Sequence, residues 1–228
     1  MKIELTIPTT LNDIKLVQYQ KFLSIAKDHE ESEFLQQKMV QLFCGIDLKD
    51  VAQIRYKDVA EITANINNLF TKENHFIQRF KMGGVEFGFI PNLDEMTTGE
   101  YMDLDTYITD WDTMHNAMAV LYRPITNKLG NKYQIEEYKG SVTYADVMRH
   151  APLDVVLGAM VFFYNLGNDL LKSTINYLET NQEVQNILNK HNLENVGDGI
   201  QVSMLLLKET LEDLMKFQNF PYTSALRS

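Results

Sequence analysis

The chain has a single cysteine, Cys44. One thiol cannot close an intramolecular disulfide, so nothing in the sequence marks an oxidising compartment. Basic residues are scarce as well: 21 Lys and Arg face 31 Asp and Glu, a formal net charge of −10. That deficit speaks against nonspecific nucleic-acid binding, which depends on cations that neutralise phosphates. It speaks equally against docking on an anionic membrane surface. Long hydrophobic runs are missing too. The most apolar stretch, VVLGAMVFFY at 155–164, lies between Asp154 and Asn165, whereas a membrane span needs about 20 such residues. A buried core helix is the expectation there. The opening residues MKIELTIP lack the apolar centre of a signal peptide, with Glu4 interrupting them, and no Asn-x-Ser/Thr sequon occurs. An intracellular protein with no membrane and no direct nucleic-acid partner is therefore expected.

What remains is rich in core material. Hydrophobic residues make up 45% and aromatics 11% of 228 residues, enough for one large domain or two small ones. The patterning is mostly helical. Residues 2–7 alternate polar and apolar and predict a short strand ended by Pro8. Apolar residues at near-helical spacing then predict helices over about 12–27 and 31–44, with Gly45 as a natural stop. A short helix follows from Asp47, and another covers about 57–70, where Val59, Ile62, Ile66 and Leu69 are three or four apart. At Asn74 the character changes. FIQRFKM and VEFGFIP alternate with period two around Gly83-Gly84, which predicts a β-hairpin near 76–90, because its tight turn requires positive φ. Thr97 and Glu100 stand in capping-box spacing and open a helix. Further helices are predicted at about 112–122, 143–149, 153–179 and 199–218, with a third strand in KYQIEEY at 132–138 beside the hairpin. The fold class is thus mainly α with a small antiparallel β element, a bundle-like helical core plus the hairpin. The one candidate boundary separates a helical region, 1–74, from a hairpin-plus-helix region, 75–228, and the two are also compatible with one continuous domain.

Candidate chemistry is thin. The five histidines, His29, His75, His115, His150 and His191, are far apart and form no HExxH pattern. Cys44 ends an apolar helix before glycine and reads as a buried structural thiol rather than a nucleophile. Gly197-Asp198-Gly199 precedes a helix, but an aspartate between the glycines repels phosphate, and no Walker lysine follows. No catalytic, cofactor or metal residue is assigned, and a non-enzymatic protein is expected.

The most distinctive feature is electrostatic. From Met82 to Tyr122 there is no Lys or Arg, while Glu86, Asp94, Glu95, Glu100, Asp103, Asp105, Asp110 and Asp112 fall in the same window. One reading is a solvated acidic face. A second is a calcium loop beginning at Asp103-x-Asp105, but Ile108 and Met114 stand where an EF-hand needs Gly and Glu. The third is a docking surface for a basic partner, favoured by Tyr101, Tyr107 and Trp111 among the carboxylates, since aromatics are enriched at interfaces. The candidate partner-binding set is Asp94, Glu95, Glu100, Tyr101, Asp103, Asp105, Tyr107 and Trp111. Two other features bear on contacts. The 153–178 stretch is apolar on several faces, as in a central core helix or an oligomer contact. Eleven methionines suit either an adaptable groove or irregular core gaps.

The run GFIPNLDEMTTGEYMDLDTYITDWDTMHNAMAVLYRPI (88–125), with KYQIEEYKG (132–140) and APLDVVLGAMVFFYNLGNDLL (151–171), resembles a group of tailed-bacteriophage proteins. LNDIKLVQYQKFL (11–23) is similar to the start of tail assembly chaperone-like sequences from such phages. The resemblance implies a role in virion morphogenesis and carries no known chemistry. It leaves open a component built into the particle, at the head–tail junction, in the tail or packaged inside. Equally open is a transient chaperone that shields a hydrophobic protein such as the tape measure. Its partners would be other phage proteins or further copies of itself, and its location the host cytoplasm during assembly or the virion. A host-directed regulator or a small enzyme whose site gathers distant residues is a further reading.

Overall fold

The computed structural model describes residues 5–29 and 32–180. It divides into two compact units, Met1–Ala159 and Met160–Ser228. Asn74 therefore falls inside the first unit. Among the described residues the fold is mainly helical with one four-stranded antiparallel sheet.

The chain enters through a tight turn. The Asp13 carboxylate accepts hydrogen bonds from the Thr9 and Thr10 N–H groups, both at 2.9 Å, and closes a 3-10 turn at Leu11–Asp13. Residues 5–7 of the expected strand join no sheet, and the 3-10 turn occupies the positions where the periodicity predicts the start of the first helix. Residues 2–4 of that strand lie outside the described residues. After an extended Ile14-Lys15, α1 runs Leu16–Lys27. α2 (Glu33–Cys44) is capped by the Ser32 side chain and ends at Gly45 with φ 68°, the left-handed stop that glycine supplies without strain. A short α3 (Leu48–Val51) leads to α4 (Tyr56–Phe70), which buries Val59, Ile62, Ile66 and Leu69 on one stripe.

The hairpin follows as predicted: β1 (Arg79–Met82) pairs with β2 (Val85–Phe89) across Gly83 and Gly84, at φ 58° and 80°. Next come α5 (Thr98–Tyr107) and α6 (Met114–Leu121). Without a linker the chain then becomes β3 (Tyr122–Leu129), which turns at Gly130 (φ 63°) into β4 (Lys132–Ile135). Sheet order is β1-β2-β3-β4. The strand expected at 132–138 is therefore shorter than read, and β3 lies between it and the hairpin. α7 (Val142–Met148) and α8 (Leu153–Thr180) complete the described chain. The helix expected at 199–218 lies outside it.

The first unit closes on itself where α1 meets α8. Lys15 bridges Pro152, Leu16 N–H donates to Ala151 O at 2.9 Å, and Leu153 N–H donates to Ile14 O at 2.8 Å. Ile14, Leu16 and Leu153 are wholly buried there. The start of α8 is buried on every side through Leu153, Val155, Val156, Leu157 and Ala159, so this part of the apolar stretch is a central core helix. Met39, Met114, Met118 and Met148 are core fillers, each at most 2% exposed. In the second unit the described part is the remainder of α8, where Phe162 meets Phe163 edge to face at 5.3 Å. Among the described residues no helix is long and apolar enough to cross a membrane.

Cys44 is buried, and burial pushes its thiol up to about 11. At neutral pH that leaves about 100-fold less thiolate than an ordinary cysteine carries. Labelling by a thiol-specific disulfide reagent should therefore be slow in the native protein and rapid once urea unfolds it. Rapid native labelling would place Cys44 at the surface.

Candidate partner-binding surface

The acidic segment is built around α5. Thr97 caps the helix: its hydroxyl accepts the Glu100 N–H at 3.2 Å, and the Glu100 carboxylate accepts the Thr97 N–H at 2.7 Å. This capping box turns Glu100 back towards the helix start and inward. There it meets Arg123 of β3, with Nη2 to Oε1 at 2.6 Å and both side chains about nine-tenths buried. The Arg123 guanidinium also lies over the Tyr138 ring, 5.3 Å from its centre. Burial pushes the Glu100 carboxyl up, but hydrogen bonds from Thr97 and Arg123 together with the Arg123 charge outweigh it and hold it below the usual carboxylate range. Arg123 Nε and Nη1 have no protein hydrogen-bond partner. Glu100 is therefore an interior ion-pair residue, and its expected place on an exposed acidic face is corrected.

Two more members of the set are occupied. Asp103 accepts a short hydrogen bond from the Tyr138 hydroxyl, which ties α5 to the segment after β4. Trp111 packs edge-on against Tyr19 of α1, ring centres 5.0 Å apart, and its carbonyl accepts from Gln20 Nε2 at 2.6 Å. Tyr107 is half-buried, and its carbonyl accepts from the Thr113 hydroxyl. Gln20 also reaches His115 Nδ1 at 3.2 Å. Burial, and then the Arg149 charge, lower the His115 pKa and favour its neutral form. These contacts lock the inner side of the segment to α1, α6 and the sheet.

The outer side is what remains. Asp94 and Glu95 sit exposed in a 3-10 turn at Leu93–Glu95. On α5, Tyr101, Met102 and Asp105 face solvent, with Tyr101 63% and Met102 61% exposed. Residues three and four apart are neighbours on a helix surface, which sets Asp105 beside both Met102 and Tyr101. α5 thus buries Glu100 and Leu104 while it presents an aromatic ring and a thioether to water beside a carboxylate. Sequence reasoning missed Met102, although its helical spacing from Asp105 was available. It also missed Arg123, for which no local signal exists.

Among the described residues, no three of His, Cys, Asp and Glu are placed together to hold a metal ion. Asp103 and Asp105 diverge, one towards Tyr138 and one to solvent. In comparison with known proteins, no family model, no curated protein and no solved structure matches this chain.

Proposed function

We propose that this chain is a non-enzymatic protein that acts by binding another protein through the outer face of α5. The carrying observation is the juxtaposition of exposed Tyr101 and Met102 with Asp105, on a helix whose other side is pinned by Glu100, Leu104 and Asp103. The rigid Tyr ring supplies contact area at low ordering cost, the flexible Met thioether adapts to an irregular partner surface, and carboxylates select a partner bearing Lys or Arg. No Lys or Arg lies between Met82 and Tyr122; cations from outside the segment pair Glu86, Glu100 and Asp112, while Asp94, Glu95 and Asp105 stay exposed on its outer side. The resemblance to tailed-phage proteins supplies the setting: a virion component at the head–tail junction, in the tail or packaged, with another phage protein as partner.

The test uses the pair Tyr101→Ala and Asp105→Lys, which spares Asp103 because that residue holds Tyr138. The double variant should keep its melting temperature and lose partner binding by about tenfold or more, as a hot-spot aromatic and a rim charge together predict. Unchanged binding and particle yield would remove the proposal. Quantitative mass spectrometry of purified particles then separates the two morphogenesis roles. Stoichiometric presence makes the chain a virion component, and abundance in the lysate alone makes it a chaperone.

A further inference from the structure

An open groove of about 560 Å³ lies between the sheet and α7. Strand alternation builds its floor. Met82 stands opposite Val85, and Phe87 opposite Pro124, across two strand pairs. Val147 of α7 forms the far wall, and both Val85 and Val147 are 42% exposed. The volume is in the range of sites that hold a drug-sized ligand or a few side chains, about 300–1,000 Å³.

The lining is mainly apolar, and Glu136, Tyr144 and His150 bring polar atoms to it. Tyr144 packs edge-on to Phe87 and donates its hydroxyl to Glu136 Oε2 at 2.5 Å. That bond, with burial, pushes the Tyr144 phenol up to about 12, so it remains a donor at neutral pH. The phenol thus fixes the orientation of a carboxylate in the lining of an otherwise mainly apolar groove. No Lys or Arg lines the groove. A carboxylate held beside exposed apolar walls, with only an uncharged donor on it, complements an apolar body that ends in a cation.

We infer that this groove binds a peptide segment of another protein in which a large apolar side chain stands beside a Lys or Arg. The apolar side chain lies over Phe87 and Pro124, and the cation meets Glu136. The site is separate from the outer face of α5, and either can fail without the other.

The experiment titrates the full chain with the peptide acetyl-Leu-Phe-Lys-amide, followed by amide chemical shifts. The control peptide carries norleucine in place of lysine and keeps the shape without the charge. Shifts are expected at residues 82–87 and 142–150. The lysine peptide should bind about tenfold more tightly than the norleucine peptide, the worth of one charge-assisted contact. Glu136→Gln should abolish that difference and leave norleucine binding unchanged. Tyr144→Phe keeps the carboxylate, frees its orientation and should reduce the difference. Equal binding of the two peptides to the native protein, shifts centred elsewhere, or no saturable shift would each overturn the inference.

Discussion

Replacing Glu100 by Gln is expected to destabilise the protein by about 3–5 kcal/mol, because it leaves the Arg123 guanidinium buried without its counter-charge. The pair is 6–7% exposed, so solvent cannot take over the lost partner. The double variant Glu100→Leu with Arg123→Met should recover most of that loss, because an apolar pair of similar size removes the desolvation cost of both charges. Urea unfolding of the native, single and double variants measures it. A single variant within about 1 kcal/mol of native would show the pair to be accessible to solvent. The same pair sets an acid limit. The folded Glu100 carboxyl lies below its ordinary value, so its contribution is fully present above the unfolded carboxyl pKa. It is lost as pH falls through the folded one. Stability should fall on acidification, and the Leu/Met variant should show a shallower fall.

Gly158→Val is expected to cost stability at the upper end of the overpacking range, about 3 kcal/mol. A Cβ at Gly158 would lie 2.3 Å from the His75 carbonyl oxygen and 3.4 Å from Phe76 Cα. These are backbone atoms, and their segment is pinned. Phe76 packs edge-on against Phe89 at 4.8 Å, the Tyr122 hydroxyl donates to Ile77 O at 2.6 Å, and Phe89 N–H donates to Gln78 O at 2.9 Å. Nothing there yields without opening the sheet. Gly99→Ala is the contrasting control. Its nearest neighbour would be a Tyr138 ring carbon at 3.8 Å, so the gain in helix propensity, up to about 1 kcal/mol, should make it neutral or stabilising. Thermal unfolding of both variants tests the contrast, and equal effects would refute the close approach.

The elements legible in the sequence are those with a strong local signal. α2 announced its end through Gly45, α4 showed an uninterrupted stripe, and the hairpin carried two glycines at the positions that need positive φ. β3 was hidden for a physical reason: it follows α6 with no turn between them, and Pro124 inside it argues against a strand. Its pairing is non-local, with Tyr122 opposite Phe89 and Arg123 opposite Gly88. For this strand pair the turn at Gly130 was the local cue that was missed. At the candidate surface the capping-box spacing of Thr97 and Glu100 already implied that the Glu100 carboxylate turns back on the helix. Counting it with the exposed acids set that signal aside. Burial of Glu100 depends on Arg123, distant in sequence, and so became visible only in three dimensions. The outer residues Tyr101 and Asp105 follow from helical spacing alone.

The proposed docking of another protein on the outer face of α5 has a direct test. A photo-crosslinking residue at Met102, with Tyr56 on α4 as an equally exposed control, tests it most directly in cells that are producing particles. The expected result is a discrete crosslink from position 102 to one partner, in the proposed setting a phage particle or tail protein, absent from position 56 and lost in the Tyr101→Ala/Asp105→Lys background. No crosslink from position 102, or the same products from both positions, would contradict it.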